Sequence, residues 1–270
     1  MRRLAHISDL HFGREEPAVV EGLLADLARV KPDLVVVSGD LTQRARRAQF
    51  RAAAAFFARL PAPRLVVPGN HDIPLYDVLR RFLDPLGRYR RFIDPELDPV
   101  FADAEIAVMG LNTARPTRWV DGRVSARQVD ALTARLGPLP PEVFKVVVTH
   151  HPFVPAPRDP APARIEGAGP ALAAAESCGV ELFLAGHLHE GYLADLRQHH
   201  ATLRRSILVA QAGTAVSNRR RNEPNGYNVI TIDPPDLHFE VRAWDGTSFQ
   251  ARFAESYRRG AMGWIKASVS

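Results

Sequence analysis

Apolar runs in this chain are short, and most stop abruptly at polar residues. Leu4-Ala5-His6-Ile7-Ser8 reads as a strand halting at Asp9-Leu10-His11. From Pro17 to Val30, the positions Val20, Leu23, Leu24, Leu27 and Val30 share one helical face. Pro17 suits a first helical position and Lys31-Pro32 closes the helix. Asp33-Leu34-Val35-Val36-Val37 is a near-continuous apolar run, the mark of a parallel strand buried on both faces, and it ends at Ser38-Gly39-Asp40. A second helix is expected over about 43–59, turning Phe50, Ala54, Phe57 and Leu60 inward. A third strand, Leu65-Val66-Val67, stops at Pro68-Gly69, since proline cannot donate to a ladder and glycine permits unusual backbone angles. Strand, helix, strand, helix, strand is a βαβαβ unit, so the fold class is α/β.

Further on, 73–92 reads as helical and arginine-rich, and 100–102 and 106–111 as two strands about a turn. Ser125 and Gln128 fit a capping box that opens a helix running to Leu136. Lys145–Thr149 is a buried strand ending at His150-His151-Pro152, followed by an irregular proline-rich loop over 152–170. A helix over about 171–177 leads to strand 181–185, which ends at Gly186-His187-Leu188-His189. Antiparallel strands are expected over 206–212, 227–233 and 237–244. The tail carries Phe249, Phe253, Tyr257 and Trp264. It could cover the sheet, cap a site, or meet a second subunit in a homo-oligomer. No repeat or linker interrupts the chain, so one domain over 1–270 is expected, with a segment from about 246 of undefined role.

Composition removes some classes. With 270 residues, 46% hydrophobic and 24% charged, the chain is an ordinary globular one. No apolar run approaches the roughly 20 residues that span a bilayer. The basic start lacks the apolar core of a signal peptide, and the single thiol, Cys178, cannot form an intrachain disulfide. The cytoplasm is therefore the expected compartment. A net charge of +5 fits an anionic substrate but is too mild and dispersed to argue for nucleic acid. Arg219-Arg220-Arg221 is read as solvated loop charge, with contact to a substrate phosphate as the other reading.

The chemistry collects where strands end: Asp9 and His11, Asp40, Asn70 with His71 and Asp72, His150, and His187 with His189. In open α/β sheets ligands bind at the carboxyl ends of strands, so these loops should converge. Asp9/His11 and His187/His189 are each spaced by two, which in extended chain points both side chains the same way. Asp, Asn and His without thiolate suit Mn, Fe or Zn rather than an iron–sulfur cluster or structural zinc. Asp9, His11, Asp40, Asn70, His150, His187 and His189 are more ligands than one open catalytic ion needs, so two divalent ions sharing a carboxylate are expected. Ions roughly 3.5–4 Å apart can clamp an in-line displacement, and their charge suits a phosphate ester.

Together, Asp9-Leu10-His11, Gly39-Asp40, Gly69-Asn70-His71-Asp72, His150-His151-Pro152 and Gly186-His187-Leu188-His189 resemble the calcineurin-like metallophosphoesterases. Size and the Asn225-Gly226-Tyr227-Asn228 stretch look most like the bacterial class III cyclic nucleotide phosphodiesterases. The resemblance implies a four-layer α/β/β/α sandwich. It implies one ion on Asp9, His11, Asp40 and His189 and a second on Asp40, Asn70, His150 and His187, with Asp40 bridging. His71 would stay off the metal and assist the leaving oxygen, oriented by Asp72. His151 becomes the variable neighbour of His150. The expected reaction is phosphodiester hydrolysis by a metal-bridging hydroxide, on cyclic nucleotides or other small diesters. Phosphomonoesters and nucleotide pyrophosphates are the rival substrates. The UDP-sugar pyrophosphatases of lipid A synthesis look similar but carry Arg where this chain has His71. A non-catalytic scaffold would show damaged ligands, and a DNA nuclease would need a larger chain or a basic stripe.

Overall fold

The computed structural model describes residues 1–155, 165–221, 223–261 and 263–267. The opening unit comprises β1 (Arg2–Ile7), α1 (Pro17–Val30), β2 (Leu34–Val37), α2 (Arg47–Phe57) and β3 (Arg64–Val66). Two short helices follow, α3 (Val78–Leu83) and α4 (Gly87–Phe92), then β4 (Val100–Ala102), β5 (Ile106–Gly110), β6 (Gly122–Arg123) and α5 (Ala126–Leu136). Next come β7 (Phe144–Val148), β8 (Ile165–Glu166), α6 (Ala168–Ser177), β9 (Val180–Ala185), β10 (Tyr192–Asp195) and β11 (Leu208–Gln211). The chain ends in β12 (Gly226–Asp233), β13 (Asp236–Trp244), β14 (Phe249–Gly260) and β15 (Gly263–Lys266).

Two mixed sheets carry the fold. One runs β15-β14-β13-β12-β1-β2-β3, the other β10-β11-β9-β7-β5-β4. Alternation along single strands assigns the layers. Val35 and Val37 of β2 face a core shared with α1 and α2, while Leu34 and Val36 face Val146, Val148, Leu182 and Leu184 of the other sheet. Behind that second sheet, Val147 and Phe183 pack with Leu132 of α5 and Leu172 of α6. The order is helix, sheet, sheet, helix, as the resemblance implied. Asp26 of α1 is tied across to β12 and β13, accepting from Tyr227 Oη at 2.6 Å and Arg242 Nε at 2.5 Å.

Helix α1 has the expected bounds and closes on a left-handed Lys31 (φ 52°). Helix α2 starts at Arg47 rather than 43, because a polar loop occupies 42–46. There Thr42 Oγ1 accepts from Ala45 N at 3.0 Å, and Gln49 Oε1 accepts from Arg44 N at 2.9 Å. Phe56, rather than Ala54, is fully buried on this helix. The helical stretch expected over 73–92 is broken, since Pro74 and Pro85 lack the N–H a continuous helix needs. The strand near 206–212 is antiparallel to β10, as expected, but it does not join the strands over 227–244. As β11 it pairs parallel with β9 in the second sheet. The described part of the tail covers the sheet edge: β14 and β15 extend the first sheet, with Phe249 and Trp264 buried. Much of the proline-rich loop, 156–164, and the last residues, 268–270, lie outside the described residues.

Candidate metal centre

The polar residues after β1, β2, β3, β7 and β9 meet where the carboxyl ends of the two sheets adjoin. Asp9 Oδ1 lies 3.6 Å from His11 Nε2 and 3.4 Å from His189 Nε2. His11 Nε2 is in turn 3.6 Å from Asp40 Oδ2. The other oxygen of Asp40, Oδ1, lies 3.4 Å from His150 Nε2. That nitrogen is 3.1 Å from Asn70 Oδ1 and 3.3 Å from His187 Nδ1. All the sequence-predicted ligand residues therefore come together, in two groups that share Asp40 through separate oxygens.

The backbone is bent to achieve this. Asp9 (φ 53°), His11 (44°), Asp40 (52°), His187 (75°) and His189 (60°) are left-handed, a conformation that costs non-glycine residues about 1 kcal/mol or more each. The spacing-by-two expectation fails for this reason at His187 and His189, which turn to opposite groups rather than pointing together. Close approach explains two motif glycines. A Cβ on Gly39 would strike the His150 ring, and one on Gly69 would strike Asp40.

Second partners fix which nitrogen faces inward. The Ser38 carbonyl accepts from His150 Nδ1 at 2.8 Å, and the Arg219 carbonyl accepts from His189 Nδ1 at 2.7 Å. A nitrogen that donates to a carbonyl carries the proton, so each ring is held by Nδ1 and turns Nε2, the nitrogen an ion would take, toward the carboxylates. Asp9 Oδ1 and His11 Nε2 are buried with no hydrogen-bond partner. Converging lone pairs without donors call for a cation. Donor separations of 3.1–3.6 Å match the edges of a coordination shell with bonds of about 2.0–2.2 Å. The donor set fits divalent ions.

The electrostatics show that the carboxylates favour positive charge here. Burial opposes charge on His150, yet Asp40 beside it pushes its pKa up to about 9. Burial likewise opposes the Asp40 carboxylate, but His150 and then His71 hold it well below the usual range. Burial and the neighbouring His150 push His187 down to about 3.

His71 stands beside the first group, its ring centroid 4.9 Å from that of His11 and perpendicular to it. Its Nδ1 is 2.9 Å from the Gln43 carbonyl, and its Nε2 accepts from Arg219 Nη1 at 3.0 Å. Asp72 does not touch the imidazole, which corrects the orienting role expected for it. Its carboxylate accepts instead from Leu41 N, Thr42 N, Thr42 Oγ1 and Gly69 N at 2.9–3.1 Å. Asp72 pins the turn, and a main-chain carbonyl orients His71. His151 lies beside His150 and His187, but its Nδ1 pairs with Thr113 Oγ1 at 2.7 Å. Gln43, which acts through its backbone, carries no sequence signal, and for Arg219 the sequence favours solvated charge over phosphate contact. The arginine run marked the place, but not that the Arg219 side chain turns in to His71.

Residues 2–191 match the family model for calcineurin-like phosphoesterases. A probable cyclic nucleotide phosphodiesterase from Synechococcus sp. is 26% identical over 202 residues, covering 70% of this chain and 74% of that one. The glycerophosphodiester phosphodiesterase GpdQ of Enterobacter lignolyticus is 31% identical over 173 residues, 56% of this chain, which thus spans only 57% of that relative's length. Among solved structures, a dimetal phosphatase from Danio rerio has a TM-score of 0.66 at 14% identity, covering 93% of this chain and 98% of that one. A purple acid phosphatase, PPD1, from yellow lupin also reaches 0.66 at 13% identity, covering 94% of this chain and 53% of that one. At such identity these two structures show the fold alone. With the family model spanning most of the sequence, the chain belongs to the calcineurin-like phosphoesterase family and is a phosphoric ester hydrolase.

Proposed function

We propose that the chain, acting as one domain, is a dinuclear metal-dependent phosphodiesterase for cyclic nucleotides or other small phosphodiesters. One ion is assigned to Asp9, His11, Asp40 and His189, and the other to Asp40, Asn70, His150 and His187. The observation that carries the assignment is Asp40, whose two oxygens face different groups of donors. Mn, Fe and Zn all suit nitrogen and oxygen ligands. Ions bound there supply positive charge beside the phosphoryl oxygens and acidify a coordinated water.

The chain's own residues do the rest. Ser38 and Arg219 carbonyls hold His150 and His189 with Nε2 inward. The Gln43 carbonyl holds His71 by Nδ1 and so aims Nε2 at the site, where the imidazolium form would pass its Nε2 proton to the departing ester oxygen. Asp72 fixes the turn that carries Asn70 and His71. The printed functions of the Synechococcus and Enterobacter relatives, both phosphodiesterases, support a diester over a monoester. Cys178, buried and unpaired, suits a reducing compartment such as the cytoplasm.

The test is a substrate panel with added Mn: 3′,5′- and 2′,3′-cyclic nucleotides, bis(4-nitrophenyl) phosphate, a glycerophosphodiester and 4-nitrophenyl phosphate. At least one diester should be hydrolysed about tenfold or more faster than the monoester. A monoester preference, or no Mn-dependent hydrolysis, would count against the proposal.

A further inference from the structure

We propose that Arg219 binds the substrate phosphate, its guanidinium moving from His71 onto a non-bridging oxygen when the ester enters; this rests on the phosphoesterase site assigned above.

Arg219 differs from the arginines around it. Arg220 is exposed and pairs with Glu16 at 2.9 Å. Arg219 is half-buried, and among the described residues it makes no ion pair with a carboxylate. Its Nη1 donates to His71 Nε2 at 3.0 Å and lies 3.5 Å from Gln43 Oε1, neither of them a carboxylate. Asp40 and Asp9 act on this partly desolvated cation only from beyond ion-pair distance, so an anion in direct contact would stabilise it further.

Its position is fixed from the other side. The Arg219 carbonyl accepts from His189 Nδ1 at 2.7 Å, so main chain and side chain of one residue touch a ligand histidine and the proton-bearing His71. Arg44 adds a second cation to this edge, its Nη1 donating to the Gln43 carbonyl at 2.9 Å. The Nδ1–H of His71 is committed to that carbonyl, so the contact at Nε2 is the replaceable one. An entering phosphate offers the guanidinium a charged acceptor better than a neutral imidazole. The exchange forms a charge-assisted hydrogen bond and leaves Nε2 open toward the ester oxygen. No covalent change is involved.

The experiment is calorimetric titration of inorganic phosphate into Mn-loaded protein, with bound Mn measured in each sample. Wild type should bind phosphate. Arg219→Ala should bind it about tenfold or more weakly at unchanged Mn content, Arg219→Lys should fall between, and Arg220→Ala should match wild type within about twofold. With bis(4-nitrophenyl) phosphate, Arg219→Ala should raise KM in the same proportion. Arg219→Ala binding phosphate as tightly as wild type would overturn the proposal. So would wild type failing to bind phosphate, or a loss of Mn in both the Ala and Lys variants, which would make the residue a prop for His189. If no ester is hydrolysed but phosphate binding still depends on Arg219, the reaction assignment fails and this inference stands.

Discussion

The Gln43 carbonyl, 2.9 Å from His71 Nδ1, sets the tautomer of the imidazole, while the carboxylate next in sequence holds only backbone and a hydroxyl. Adjacent substitutions should therefore fail in different ways. His71→Ala should keep both ions, measured by elemental analysis, and lose about 100-fold or more in turnover of an aryl diester. Equal loss of metal would show His71 to be a ligand. Asp72→Ala leaves the buried donors of Leu41, Thr42 and Gly69 unmatched, and should cost about 3 kcal/mol in chemical denaturation. At this scale the donors were legible because each sits in a turn just after an apolar run. The left-handed angles at His187 and His189 were not, since nothing in their spacing distinguishes an extended segment from a coiled one. Asp72's partners were hidden for another reason: they are main-chain groups at 41, 42 and 69, which carry no sequence signature.

Among elements, α1 was readable to its ends because proline and a left-handed Lys31 mark them and its apolar face is regular. The start of α2 was obscured by side chains that cap a loop rather than extend the helix. Strand β11 reads in sequence like the antiparallel strands after it, but it lies in the second sheet between β10 and β9, because an apolar run does not name its neighbours. The tail strands make a direct prediction. Phe249 is 2% exposed and packs edge-on to Tyr227 at 5.5 Å between ring centroids, whereas Phe253 is 44% exposed. Phe249→Ala should cost about 3–5 kcal/mol and Phe253→Ala about 1 kcal/mol or less in urea unfolding. On β1, His6 is wholly buried between Ser38 Oγ at 2.9 Å and Asn228 Nδ2 at 3.2 Å. Burial lowers its pKa to about 3 from 6.5. The unfolded chain thus takes up a proton below about pH 6.5 that the folded chain refuses until about 3, so His6 contributes stability that is present above pH 6.5 and lost as pH falls toward 3. Between pH 6 and 4, wild-type stability should fall more steeply than that of His6→Gln by about 1.4 kcal/mol per pH unit. Equal slopes would show that His6 does not resist protonation.

For the molecule as a whole, the site exists because two sheets adjoin at their carboxyl ends, and neither sheet alone supplies a complete group of donors. Asp9, His11, Asp40 and Asn70 come from the first sheet's loops, and His150, His187 and His189 from the second's. Ions bound there as proposed would join the sheets, so chelation should lower the melting temperature as well as abolish hydrolysis. The central claim is that hydrolysis requires two ions across this junction. Its most direct test is bis(4-nitrophenyl) phosphate hydrolysis by metal-free protein as Mn is added and bound Mn is counted. The account predicts activity rising until two ions are bound per chain and level thereafter. Full activity with one bound ion, or hydrolysis that survives metal removal, would contradict it.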